Sequence, residues 1–195
     1  MKSRAVAFVT YGQLLLAFFL ALCVALHPGF VLKSDEGGMS NYGIHLKTFA
    51  PYTLSLGFPM LLSFLAARLF VGEGDSLQQF RQLLRCYAWL LILTLASTYS
   101  YSLNSVLRDL HIVFGAALVI FQMIASVWMY RLLRRRLDGA LLAAELVGFV
   151  LAVLTISGAL HVLFFTQVLT SGAFAVLLVR SALTLDDPST VAGIA

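Results

Sequence analysis

Charge is what this chain has least of. Nine acidic and thirteen basic residues make up 11% of its 195 positions, against 61% hydrophobic residues and a mean hydropathy of +0.93. A soluble domain carries about a quarter charged residues, so a soluble globular fold is excluded. Disorder is excluded as well, because it needs the opposite balance. Four prolines and fourteen glycines without a three-residue period rule out a collagen-like chain. Cysteine occurs only at Cys23 and Cys86, which is no disulfide scaffold. The two lie toward opposite ends of different apolar segments. A disulfide requires Cα atoms within about 7 Å, so both are expected as free thiols.

What the chain has is apolar length. Six segments approach the roughly 20 residues a membrane helix requires: 6–26, 49–70, 86–102, 111–130, 139–157 and 160–178. They predict an all-α, polytopic six-helix transmembrane bundle formed by one domain over 1–195. The first run follows Lys2 and Arg4 and ends near Leu20-Ala21-Leu22-Cys23, a faint likeness to a lipoprotein cleavage box. It is longer than a signal-peptide core, so a retained helix is expected.

Lys and Arg set the orientation. With the N-terminus cytoplasmic, ten basic residues fall inside: Lys2, Arg4, Arg68, Arg81, Arg85, Arg131, Arg134, Arg135, Arg136 and Arg180. Only Lys33, Lys47 and Arg108 fall outside. The positive charge therefore reads as a topology signal and not as a nucleic-acid surface. An even number of spans returns the C-terminus to the cytoplasm, and the expected location is the bacterial plasma membrane.

The outer loop over 27–47 is the longest. It carries the turn signals Pro28-Gly29 and Gly37-Gly38, then Met39-Ser40-Asn41-Tyr42-Gly43. Loops of this length are disproportionately functional, and it is expected to fold over the bundle with Tyr42 partly buried. The fifth and sixth segments meet around Ser157-Gly158-Ala159 and should form an antiparallel hairpin. Ala144, Gly148 and Ala152 form a small-residue stripe for close helix approach. Glu145 is a carboxylate well inside a span, where ionisable residues are costly and turn to the bundle interior. Gln122 lies at comparable depth, and a Glu145–Gln122 hydrogen bond is expected.

All four histidines, His27, His45, His111 and His161, fall at or near the outer side. So do Asp35, Glu36, Asp109, Tyr99, Tyr101 and Asn104. Together they predict a polar outer vestibule whose ligand- or partner-binding residues are Asp35, Glu36, Asn41, Tyr42, Tyr99, Tyr101, Asp109, His111 and His161. An interfacial belt of rings at headgroup level is the plainer reading of the same pattern. There is no His-x-x-x-His pair, nucleophile elbow, phosphate loop or paired-cysteine motif. No cofactor is expected. Four histidines leave zinc or haem as alternatives, although a bis-histidine haem needs facing imidazoles at matched depth.

The Asp/Glu-Gly-Gly and Ser40-Asn41-Tyr42-Gly43 stretch of the outer loop resembles small bacterial six-span membrane proteins of unknown function. Leu110-His111-Ile112-Val113-Phe114-Gly115 is similar to the DRAM/Sfk-type superfamily. The resemblance implies a single six-helix domain in membrane-lipid or envelope homeostasis, with Gly37, Gly38, Ser40 and Gly43 among the recognition residues. The first functional expectation is a non-enzymatic membrane protein that binds a lipid or a partner protein at its outer face. A membrane-embedded metal-dependent hydrolase or transferase using His111, Asp109 and His161 is the alternative. A small transporter comes third, since no span carries the Gly/Pro interruption of broken transport helices apart from Gly57-Phe58-Pro59 in the second.

Overall fold

The computed structural model describes residues 3–33, 38–72, 74–99 and 105–186. It is all-α: α1 (Arg4–Leu26), α2 (Gly29–Lys33), a 3-10 turn (Gly38–Ser40), α3 (Asn41–Ile44), α4 (Phe49–Leu69), α5 (Asp75–Thr98), α6 (Ser105–Leu133), α7 (Arg136–Ile156) and α8 (Leu163–Leu185). Five of these, α1, α4, α6, α7 and α8, are long and apolar enough to cross a membrane. Their outer faces expose Phe18, Leu61, Ile124 and Val150, the opposite of a protein built for water.

The sixth long helix, α5, begins eleven residues before the expected third span. Hydropathy misses this start because Gln78, Gln79, Arg81, Gln82 and Arg85 occupy it. The helix forms nonetheless because Phe80, Leu84, Tyr87 and Leu91 recur at helical spacing and bury one continuous stripe. α6 likewise extends past both of its expected limits, whereas α8 starts three residues later than expected and runs on to Leu185. α4 runs unbroken through Pro59, which packs against Gly12 of α1. The second span is therefore a continuous helix through Gly57-Phe58-Pro59.

The long helices share two faces. At one, the arginine end, the Ser3 N–H donates to Asp186 Oδ2 at 2.9 Å, joining the two ends of the described chain. At the other, the histidine end, lie His27, the short helices α2 and α3, His111 and His161. Helices α1, α4, α5, α6 and α8 form a ring in that order, with α8 closing onto α1. α7 lies outside the ring against α8 and, less extensively, α6.

The two halves of the bundle are packed differently. The arginine half is solid: Val6, Ala66, Phe80, Leu84, Met129 and Phe174 exclude solvent almost completely. Asp138 is fully buried there and holds Arg180 through Nε–Oδ1 at 2.5 Å and Nη2–Oδ2 at 3.4 Å. Its Oδ2 also accepts the Arg135 N–H at 3.2 Å and so caps α7. This pair was not legible as a pair, because its members stand 42 residues apart.

The α7–α8 hairpin forms as expected, and Gly148 is its contact. A Cβ there would meet Thr170 Cγ2 at 2.7 Å and the Thr166 carbonyl oxygen at 3.2 Å. Ala144 and Ala152 are only half-buried, so the small-residue stripe contracts to one close approach. Cys23 and Cys86 are both free thiols, the first buried and the second exposed.

Candidate functional site

The segment after α1 folds back as a cap on the histidine end. Pro28 stops α1, since it cannot continue the helix. The Tyr42 ring is completely buried between Phe30 and Phe164, at centroid distances of 5.5 and 6.0 Å, and its hydroxyl donates to the His27 carbonyl at 3.5 Å. Burial pushes the Tyr42 phenol above its usual pKa range. Thr48, also fully buried, donates to the Tyr42 carbonyl at 2.7 Å and locks the short α3. Gly38 adopts φ +56°, where a side chain is strained, and any Cβ would collide with the Gln167 amide. The Met39 N–H then donates to Gln167 Oε1 at 2.6 Å, fastening the cap to α8.

Ser40, the next residue, reaches α6. Its Oγ lies 2.8 Å from His111 Nε2. The other ring nitrogen, Nδ1, lies 3.0 Å from Ser97 Oγ on α5. Ser97 Oγ in turn lies 3.0 Å from the Thr94 carbonyl oxygen. One half-buried imidazole thus joins the cap, α5 and α6.

Below this cluster the bundle is hollow. A cavity of about 910 Å³ runs inward from Ser40, His111, His161 and Gln167. Its walls are apolar, with Leu16, Leu20, Leu56, Leu91, Leu118 and Phe149 among them. Tyr87 and Gln122 also line it. His111 and Gln122 are eleven residues apart on α6, about 16 Å at 1.5 Å per residue. Thr94 lines the cavity between these levels. It is 7% exposed, and its hydroxyl has no partner among the described residues. No Asp, Glu, Lys or Arg lines the cavity among the described residues.

The cavity is bordered by residues that also face outward. Ile112 and Ile120 of α6 are 59% and 52% exposed, and Val153 and Ile156 of α7 are 50% and 77% exposed. All four line the cavity. This makes an apolar lateral slot between α6 and α7 on the outer flank of the bundle.

The expected vestibule residues are only partly brought together. His111 and His161 line the cavity, and Tyr42 and half-buried Asn41 belong to its cap. Tyr99 does not line it. Its hydroxyl pairs with Thr53 Oγ1 at 2.6 Å and its ring packs on Phe49 at 4.9 Å, which ties α5 to α4. Asp109 is exposed beside Arg108, at 4.0 Å, and two residues along a helix it points away from His111. The Asp109–His111 pair therefore does not form. His27 and His45 pair with each other, ring centroids 4.7 Å apart, away from His111. Asp35, Glu36 and Tyr101 lie outside the described residues. Among the described residues no three His, Cys, Asp or Glu side chains gather as metal ligands would.

The Glu145–Gln122 bond is likewise not made. Glu145 is fully buried and both carboxyl oxygens lack a hydrogen bond among the described residues. The polar group beside it is Ser126, one turn nearer the arginine end of α6 than Gln122. Because α7 starts at Arg136, Glu145 lies about 13.5 Å along it, well inside the helix as expected.

Ser97, Thr94, Tyr52, Tyr87 and Gln167 carried no sequence signal. No local pattern sets them apart, and only the bundle brings Thr94, Tyr52, Tyr87 and Gln167 to one cavity and Ser97 to His111. No family model, curated protein or solved structure matches this chain.

Proposed function

We propose that this protein is a six-span, multi-pass membrane protein that holds an uncharged membrane lipid in its histidine-end cavity. The observation that carries this reading is the form of the cavity: about 910 Å³, apolar in its walls, polar at one end, and bordered by exposed apolar residues of α6 and α7. The volume lies in the range of built ligand sites. A lateral slot lets a hydrocarbon tail remain in the bilayer while the polar end reaches His111. The absence of charged residues from the described lining favours a neutral headgroup, because phosphate or carboxylate recruits Arg or Lys.

Treating α5 as the sixth span rests on its ties at both ends. Trp128 Nε1 donates to Gln79 Oε1 at 2.7 Å at the arginine end, and Ser97 meets His111 at the other. The ten-to-three basic asymmetry supports cytoplasmic termini. A bacterial plasma membrane and a role in envelope lipid homeostasis follow from the topological resemblance. A lipid is favoured over a partner protein because the cap packs down on the bundle, with Tyr42 buried, and does not offer its aromatic face outward.

The test is lipid retention. Chain purified in mild detergent should carry a neutral lipid far above its share of the source membrane. Gly115→Trp, at a position where a Cβ meets open space, should fill the cavity and lose that lipid. Equal neutral-lipid content in both proteins removes the reading.

A further inference from the structure

We propose that Ser40, His111 and Ser97 form an esterase site on this cavity, with Ser40 as nucleophile, His111 as general base and acid, and Ser97 as positioning residue, acting on an uncharged acyl ester lipid. This rests on the lipid-binding reading and adds chemistry to it.

Three separate elements deliver the three side chains: the cap, α6 and α5. The 2.8 and 3.0 Å contacts lie within the reach expected of a nucleophile, its base and the group orienting that base. A carbonyl can only accept, so in its contact with Thr94 the Ser97 hydroxyl donates. In the proposed arrangement Ser97 Oγ accepts from His111 Nδ1–H, and the Nε2 lone pair accepts from the Ser40 hydroxyl, as a serine nucleophile requires.

Access agrees with this assignment. Ser40 is 8% exposed, and both it and His111 line the cavity, so a substrate reaches them from the apolar chamber. Gln167 adds an electrophilic donor. Its Oε1 is taken by the Met39 N–H, which leaves its Nε2–H2 to donate to a substrate carbonyl oxygen. The uncharged described lining selects a neutral ester such as an acylglycerol.

In the acylation step Ser40 Oγ attacks the ester carbonyl carbon while its proton passes to His111 Nε2. Gln167 steadies the developing oxyanion. Collapse breaks the acyl C–O bond, and the alkoxide leaves with the Nε2 proton. Water then attacks the Ser40 acyl ester and gives a proton to Nε2. Release of the fatty acid returns that proton to Ser40 Oγ, and no oxidant or reductant is consumed.

The full chain in lipid nanodiscs would be treated with an uncharged long-chain alkyl fluorophosphonate and, separately, with a photoreactive dialkylglycerol ether that cannot be hydrolysed. We expect a phosphonate adduct on Ser40 by peptide mass spectrometry. Labelling should slow by about 100-fold or more in His111→Gln, and by about tenfold or more in Ser97→Ala with recovery in Ser97→Thr. Asp109→Asn should label as the parent does. Nitrogen-15 NMR of labelled histidine should show His111 protonated at Nδ1, and mixed tautomers in Ser97→Ala. Retained ether cross-linking in His111→Gln shows that this variant is folded. No adduct on Ser40 of the parent chain, or undiminished labelling of His111→Gln, overturns the esterase site and means that these contacts merely pin the cap. Ether cross-linking to α6 or α7 in that case leaves lipid binding standing, whereas its loss removes both.

Discussion

Two glycines, Gly148 on α7 and Gly115 on α6, test opposite properties of the bundle. Gly148 has no room for a side chain against Thr166 and Thr170. Gly148→Leu should lower the thermal stability of the detergent-solubilised protein by about 1–3 kcal/mol, the usual cost of overpacking. Unchanged stability would mean that α7 and α8 do not touch there. Gly115 faces open space instead. Gly115→Leu should be neutral or stabilising by up to about 1 kcal/mol, since Gly is the poorer helix former, while displacing bound lipid. A third residue, Glu145, is fully buried with both oxygens unpaired among the described residues. An unsatisfied buried group costs about 1–3 kcal/mol, so Glu145→Met, similar in volume, should raise the unfolding midpoint. A fall in that midpoint would indicate a polar partner in the membrane-embedded protein.

Helix ends are where charge enters this fold, and the Asp138–Arg180 pair joins two of them. It holds the start of α7 to the last turns of α8, with Asp138 fully buried. Arg180→Met leaves that carboxylate without its cation and should cost about 3–5 kcal/mol. Adding Asp138→Leu removes the stranded charge and should restore most of the loss. A remaining deficit of about 1 kcal/mol is expected, because Asp138 also caps the first turn of α7. Chemical denaturation of the two variants separates the outcomes: a double variant no better than Arg180→Met would show that the pair acts through packing and not through charge. The polar first turns of α5 follow the same logic. Its Arg and Gln side chains face outward or pair with neighbours, as Arg81 Nε does with the Ala67 carbonyl at 3.3 Å, while Phe80 and Leu84 hold the helix in the bundle.

At the scale of the whole molecule, a solid arginine half supports a hollow histidine half. Rigid packing below holds α6 and α7 together at their short connection, and above it the two helices border the slot. Topology is the measurable consequence. In a Cys23→Ala/Cys86→Ala background, Leu46→Cys at the cap, where Leu46 is 93% exposed, and Arg135→Cys between α6 and α7 should react with an impermeant thiol reagent from opposite sides. Leu46→Cys should label in intact cells and Arg135→Cys only after lysis. Reaction of both in intact cells would refute the proposed orientation.

Local sequence pattern is enough to give the all-α class and the number of long helices. Apolar runs and their basic flanks are local properties, and a helix satisfies its own backbone hydrogen bonds without reference to a neighbour. It also marked the cap, through Pro28, Gly38 and the Ser40-Asn41-Tyr42-Gly43 turn, and it marked His111. It does not reach which side chains face one another. Asp109 stands two residues from His111 yet points elsewhere, Tyr99 fastens α4, and Glu145 lies beside Ser126, not Gln122, without a hydrogen bond among the described residues. Only tertiary structure joined Ser40, Ser97 and His111, which stand 14 and 71 residues apart along the chain. Only tertiary structure opened a cavity beneath them. The physical reason is that helix formation is written in 3.6-residue periodicity, whereas side-chain convergence depends on how each helix is rotated and tilted against the others. In an apolar bundle that rotation is set by a few close contacts, such as Gly148 on Thr166 and Gly12 on Pro59, that no local pattern encodes.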